Sequence, residues 1–242
     1  MKRWIMVFCL ILIPALGVLV PAGAQASTVA AGQLTSGNPV KATISTPGQS
    51  VTYTFAATAG KNVTFNVTHF SFAQPGGPDE VFLVFYEPGS SRSYTTCDVG
   101  GSTYCNFTTP VGGTWSVALV PYEANVGSLT LTFANDVPTR ALTPGTPVTT
   151  TIKFAGQQAG YTFTATAKKN VTFNVTHFSF TQPEGPYEVF LVFYKPGSSS
   201  AYTTCDVGGS TACHLTTPVG GTWSVALVPY GANVGSLTLK LT

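Results

Sequence analysis

Apolar and polar residues alternate along most of the chain after residue 34. In residues 62–67 the odd positions Val63, Phe65 and Val67 are apolar, and the even positions Asn62, Thr64 and Asn66 are polar. A period of two sends one set to a core and the other to water, which is the mark of a half-buried strand. Val51, Tyr53 and Phe55 follow the same rule, as do Trp115, Val117 and Leu119, and then Leu129, Leu131 and Phe133. No stretch sustains the apolar spacing of a helix, because Gly and Pro interrupt every window. Turn signals at Pro47-Gly48, Pro75-Gly76-Gly77-Pro78, Pro88-Gly89, Gly100-Gly101 and Gly112-Gly113 cut the pattern into short pieces. About eight strands result, near 40–45, 50–57, 62–72, 80–86, 93–97, 104–108, 114–121 and 128–133.

One piece breaks the alternation. Val81–Tyr86 (VFLVFY) is apolar at every position, and Val189–Tyr194 repeats it. A sandwich strand normally keeps one wet face. Either neighbouring loops or the other half of the chain cover the second face, or an apolar aromatic strip is exposed as an interaction surface.

The repetition of that strand is general. Residues 35–134 recur at 143–242 with a constant offset of 108, and about 75 of the 100 aligned positions are identical. Many short strands, no helix and a unit of about 100 residues predict an all-β chain. The expected fold is two tandem antiparallel β-sandwiches of jelly-roll-like form. Their bounds are 35–134 and 143–242, with 27–34 as a loose lead-in and 135–142 as a linker.

The first 26 residues stand apart. Lys2 and Arg3 precede an apolar run broken by Pro14 and Gly17, and Ala24-Gln25-Ala26 offers a small-x-small cleavage site. That is the form of a secretory signal peptide, so a secreted, extracellular or cell-surface protein is expected. Lys2 and Arg3 are two of the eleven basic residues, so 27–242 carries nine basic against nine acidic. A sparse, balanced charge gives no footprint for nucleic acid, and no membrane insertion is expected once the signal is removed.

Four cysteines follow the signal segment: Cys97, Cys105, Cys205 and Cys213. An exported chain with one Cys-x7-Cys pair per repeat points to two disulfides, Cys97–Cys105 and Cys205–Cys213, each across a hairpin. A four-Cys zinc site is the alternative, but zinc ligands usually lie two to four residues apart.

Any chemistry present twice must use residues present in both copies. Asp79 becomes Tyr187, Glu87 becomes Lys195 and Glu123 becomes Gly231; the ionisable residues that persist are Lys61/Lys169, His69/His177, Glu80/Glu188 and Asp98/Asp206. His69 sits where the alternation slips, which predicts a bulge. No Gly-x-Ser-x-Gly elbow accompanies it, and two acids on different strands make a poor glycosidase pair. The chain is therefore expected not to be an enzyme. Surface aromatics are the better candidates for binding: Tyr86 and Tyr122, with Tyr194 and Tyr230 in the second copy. Trp115 shares a face with Val117 and Leu119 and belongs to the core. The N-x-Thr triplets at Asn62, Asn66, Asn106, Asn170 and Asn174 read as ordinary strand residues.

Three segments taken together resemble a known family. They are residues 48–67 (GQSVTYTFAATAGKNVTFNV), residues 80–90 (EVFLVFYEPGS) and residues 111–133, which open on Val-Gly-Gly-Thr-Trp. Their order is similar to the bacterial pre-peptidase C-terminal domain and related jelly-roll modules. The resemblance implies a non-catalytic β-sandwich found with secreted enzymes and surface proteins, some of which bind calcium or polymeric substrates. For calcium, which takes six or more oxygens, the weak candidates are Glu80, Asp98, Glu188 and Asp206. No other cofactor is implied. The expected function is a secreted, non-catalytic tandem module that binds an extracellular polymer or a surface protein, with two copies for avidity. The alternative is a structural subunit that self-associates into a homo-oligomer or filament, and a cryptic hydrolase ranks third.

Overall fold

In each copy the alternating strands assemble into two facing sheets. The computed structural model describes residues 27–73, 80–181 and 188–242. The signal segment 1–26 and the Pro-Gly turn at 75–78 lie outside the described residues, as do Asp79 and Tyr187. The first unit contains β1 (Thr28–Gln33), β2 (Pro39–Ile44), β3 (Ser50–Ala57), β4 (Asn62–Ala73), β5 (Val81–Tyr86), β6 (Ser93–Asp98), β7 (Tyr104–Thr108), β8 (Gly113–Pro121) and β9 (Val126–Asn135). One sheet has the order β1-β3-β8-β5-β6 and the other β2-β9-β4-β7. The second unit repeats this with β10 (Val137–Ala141), β11 (Pro147–Ile152), β12 (Ala159–Ala165), β13 (Lys169–Thr181), β14 (Val189–Tyr194), β15 (Ala201–Asp206), β16 (Ala212–Thr217), β17 (Gly221–Pro229) and β18 (Val234–Leu241). Its sheets are β10-β12-β17-β14-β15 and β11-β18-β13-β16.

The core is the apolar half of the alternation. Phe55, Phe65, Phe85 and Trp115 are completely buried. Phe55 meets Phe65 edge-on at 4.9 Å, and Phe65 lies 4.8 Å from Phe85. Rings at these separations add attraction beyond the area they bury. Trp115 also donates its indole N–H to the Val111 carbonyl at 3.1 Å, so its one polar atom is satisfied. It is a core residue, as its place in the pattern requires.

Two segments without a strand signal are strands. The expected lead-in forms β1 and the expected linker forms β10, each pairing parallel with β3 or β12 at a sheet edge. Every residue of β1 is exposed, so no apolar alternation is needed there. The structural repeat accordingly runs from β1 to β9 and from β10 to β18.

Both disulfides form, Cys97–Cys105 with Cα atoms 6.2 Å apart and Cys205–Cys213 at 6.0 Å. They do not cross a hairpin. β6 is the edge of one sheet and β7 the edge of the other, so each bridge ties two sheets together at an open side of the sandwich.

The all-apolar strand is central in its sheet. Val81, Leu83 and Phe85 point into the core and are fully buried, while Phe82, Val84 and Tyr86 on the outer face are half-buried. Phe82 lies between Asp98 and Val120, and Val84 between Thr96 and Ala118. The outer positions are thus sheltered sideways by flanking strands.

Candidate functional site

The two units meet where the polar half of an alternating strand faces outward. With Val63 and Phe65 committed to the core, Asn62 and Thr64 of β4 project from the opposite face, Asn66 follows, and Asn106 of β7 stands beside them. The turn between β11 and β12 lies on this ladder. Thr64 Oγ1 donates to the Ala155 carbonyl at 2.6 Å, and Asn66 Nδ2 donates to the same oxygen at 3.1 Å. Asn66 Oδ1 accepts the Ala155 N–H at 3.0 Å. Asn62 Nδ2 donates to Gly156 O at 3.1 Å, and Asn106 Nδ2 reaches it at 3.4 Å. Asn62, Thr64, Ala155 and Gln157 are all buried by this contact. Each buried polar group has a partner, which burial at a junction demands.

Gly156 is required twice over. Its φ is +76°, in the left-handed region, and a Cβ there would come within 2.9 Å of the Tyr104 ring and 3.0 Å of Thr64 Oγ1. The turn is held by Gln157, whose N–H bonds to Phe154 O at 3.1 Å and whose Oε1 accepts the Lys153 N–H at 3.0 Å. Gln157 Nε2 also donates to Asn135 O at 2.8 Å, which fixes the turn to the end of β9.

Asp136 occupies the step between the units. Its Oδ1 accepts Asn62 Nδ2 at 2.9 Å and the Gln158 N–H at 3.0 Å. Burial holds its carboxyl above the usual carboxylate range, against those hydrogen bonds and the nearby Lys61 charge.

Beside the junction runs an open groove of about 1020 Å³. The β3–β4 turn of the first unit forms one side, with Thr58 and Lys61. The outer face of the second unit forms the floor, with Thr162, Ser224 and Tyr194. Gly160, also in the lining, leaves room for Thr139: a Cβ there would lie 2.7 Å from the Thr139 hydroxyl. The lining is rich in hydroxyls and includes two tyrosines, Tyr161 and Tyr194.

No protein-family model matches the sequence, and no curated protein matches it either. Among solved structures the chain is similar to the pre-peptidase C-terminal domain of a collagenase from Bacillus anthracis, at 13% identity and a TM-score of 0.35, over 45% of this chain and 100% of that one. It is similar to PliG, a periplasmic inhibitor of g-type lysozyme from Aeromonas hydrophila, at 18% identity and a TM-score of 0.32, over 44% of this chain and 96% of that one. It is also similar to the CUB1-EGF-CUB2 domains of rat MASP-1, at 11% identity and a TM-score of 0.28, over 88% of this chain and 99% of that one.

The four candidate tyrosines do not form one patch. Tyr86 ends β5, and Tyr122 lies beyond its other end, where its N–H bonds to Glu80 O at 3.0 Å. Six steps of about 3.3 Å separate the two ends, so the two main-chain positions stand roughly 20 Å apart along the strand. Tyr194 lines the groove, whereas its counterpart Tyr86 is not among the groove residues. Tyr122 and Tyr230 are exposed at equivalent turns. The Tyr122 hydroxyl is raised above its ordinary value by a hydrogen bond to Glu123 and by that carboxylate's charge.

Asp98 pairs with Phe82 across β5 and β6, near the Glu80 end of the strand. Its Oδ1 accepts the Gly100 N–H at 2.8 Å, and Asp206 does the same for Gly208, so both cap their own turns. Among the described residues, no three His, Cys, Asp or Glu side chains gather in a metal-holding group. Glu80 and Glu188 contribute their main-chain carbonyls to Asn125 and Asn233. His69 does lie on a bulge, with φ +51° and a register shift between Thr68 and Ser71. Its ring bonds to the adjacent Thr68 hydroxyl at 3.2 Å.

The junction residues Asn62, Thr64, Asn66 and Asp136 were not singled out as a contact by the alternation. A signal was present in the differences between repeats. Tyr104/Ala212, Asn106/His214 and Pro47/Ala155 are among the roughly 25 aligned positions where the copies part, and these three lie at or opposite this contact.

Proposed function

We propose that this protein is an exported, non-catalytic binding module that takes an extended, uncharged polar polymer, a glycan above all, in the groove at the domain junction. The groove carries the proposal. It offers the hydroxyls of Thr162 and Ser224 and the ring of Tyr194 along one floor, with the Lys61 side as its rim. A concave site with a few convergent polar groups and an aromatic face is the usual form of a small-ligand or chain-binding site. Two disulfides per chain fit an oxidising compartment outside the cytoplasm. The sparse, balanced charge of the chain fits a neutral ligand better than nucleic acid.

The test compares two equivalent tyrosines. Isothermal titration with soluble β-glucan, mannan and peptidoglycan fragments is expected to find one binding polymer. Tyr194→Ala then weakens that binding about tenfold, or ~1.4 kcal/mol, and Tyr86→Ala leaves it unchanged. Equal losses from both variants, or binding that neither variant affects, would remove the groove as the site.

A further inference from the structure

The junction sets a turn on a polar ladder, with Asn135 and Asp136 bonded at the step between the units; each unit carries its own turn and its own ladder. The turn used is 154–157, and its unused counterpart is 46–49. The two have one shape. Gln49 N–H bonds to Thr46 O at 3.1 Å as Gln157 N–H bonds to Phe154 O, and Gln49 Oε1 accepts the Ser45 N–H at 3.2 Å. Gly48 at φ +73° matches Gly156 at φ +76°. The ladder used is Asn62, Thr64 and Asn66, and its unused counterpart is Asn170, Thr172 and Asn174. A contact between two different surfaces, present once in every chain with both halves left over, extends end to end unless something prevents it.

We propose that four residues prevent it: Thr46 and Pro47 on the free turn, and Ala212 and His214 on the free ladder. They restrict the junction to its partner within the chain and refuse the same surfaces of a second copy. Pro47 stands where Ala155 stands and has no N–H, so the 3.0 Å bond from Ala155 to the Asn66 carboxamide has no equivalent. Thr46 replaces Phe154, a half-buried residue that precedes Ala155 in the turn. Ala212 replaces Tyr104, the ring that closes on Gly156. His214 replaces Asn106, which donates to the Gly156 carbonyl.

The free ladder is also satisfied within itself. His214 Nδ1 lies 3.1 Å from the Thr172 hydroxyl, the equivalent of the Thr64 hydroxyl that grips the turn. Thr216 Oγ1 donates to Asn170 Oδ1 at 2.7 Å, and Asn174 Nδ2 donates to Thr242 Oγ1 at 3.0 Å. A docking turn would have to displace these bonds while supplying one fewer of its own. Specificity here comes from removing donors and ring contact on the unwanted side, while the turn glycine, its glutamine and the three ladder residues stay the same.

The experiment restores the missing pieces in the full chain lacking residues 1–26. The variant is Thr46→Phe, Pro47→Ala, Ala212→Tyr and His214→Asn. Each residue introduced is the one the sibling unit holds at that position, and circular dichroism melting checks that the fold is kept. Sedimentation equilibrium up to about 1 mM, the effective concentration that a short linker supplies, is expected to give a constant mass for wild type. The variant's mean mass at least roughly doubles over the same range. Wild-type growth over that range, or a variant that stays monomeric, overturns the proposal. A second variant, Phe154→Thr with Ala155→Pro, is expected to open the internal junction and raise the radius of gyration by small-angle scattering. A chain that stays as compact as wild type also overturns it.

Discussion

At the scale of single residues, each unit serves as a control for the other. Position 60 is Gly at φ +69° in the first unit, and the same turn holds Lys168 at φ +59° in the second. Position 123 reverses this, with Glu123 at φ +47° and Gly231 at φ +59°. A side chain in the left-handed region crowds its own carbonyl, at a cost of about 1 kcal/mol or more. Lys168→Gly is therefore expected to raise the unfolding free energy by about 1 kcal/mol. The denaturant midpoint should rise with an unchanged slope, and Gly60→Lys should lower it by a similar amount. A Lys168→Gly chain that is less stable would count against the backbone argument. These conformations are invisible to the alternation, which records only which side a residue faces. The bulge at His69 is legible, because there the alternation itself slips.

At the scale of elements, the chain is easiest to read where it is buried on one face. The eight strands expected per unit all exist, and most send every second residue into a core, as Ser50–Ala57 does. β1 and β10 escape that logic. Both are exposed edge strands held by main-chain bonds to a neighbour, so TVAAGQ and VPTRA carry no burial pattern to detect. The disulfides illustrate the same limit. The Cys-x7-Cys spacing indicates pairing, while the position of β6 and β7 in different sheets decides what is joined. Closing a short loop constrains the unfolded chain, and Cys97→Ala with Cys105→Ala is expected to cost about 2–3 kcal/mol. The loss should appear as a lower melting temperature, which wild type reproduces under reductant. A midpoint unmoved by both treatments would mean that the sheets do not need the tie.

At the scale of the whole molecule, the decisive contact is between polar residues, which is why hydrophobic pattern does not reveal it. Asn62, Thr64 and Asn66 look like any wet strand face until a turn from the other unit covers them. Asp136 makes that contact sensitive to pH. Burial raises its carboxyl above the usual range, so the folded chain holds the proton to higher pH than the unfolded chain. Stability contributed by this group is present at acid pH and is lost as pH rises from the ordinary carboxylate value through the raised one. Asp136→Asn keeps an oxygen for Asn62 and Gln158 and is expected to flatten that slope, with neutral-pH stability at least equal to wild type. Asp136→Ala strands the Gln158 N–H and is expected to cost about 1–3 kcal/mol. Melting temperatures between about pH 3 and pH 7 separate the three proteins, and a wild-type slope that survives in Asp136→Asn would assign it elsewhere. The ladder has one further consequence, for how the protein is made. Asn62, Asn66 and Asn106 each begin an N-x-Thr triplet, and all three carboxamides lie in the junction. A eukaryotic secretory host can attach a glycan to such a triplet on the nascent chain, before the second unit has folded against the first. A bulky sugar there would prop the halves apart, so material for structural work belongs in a bacterial periplasm.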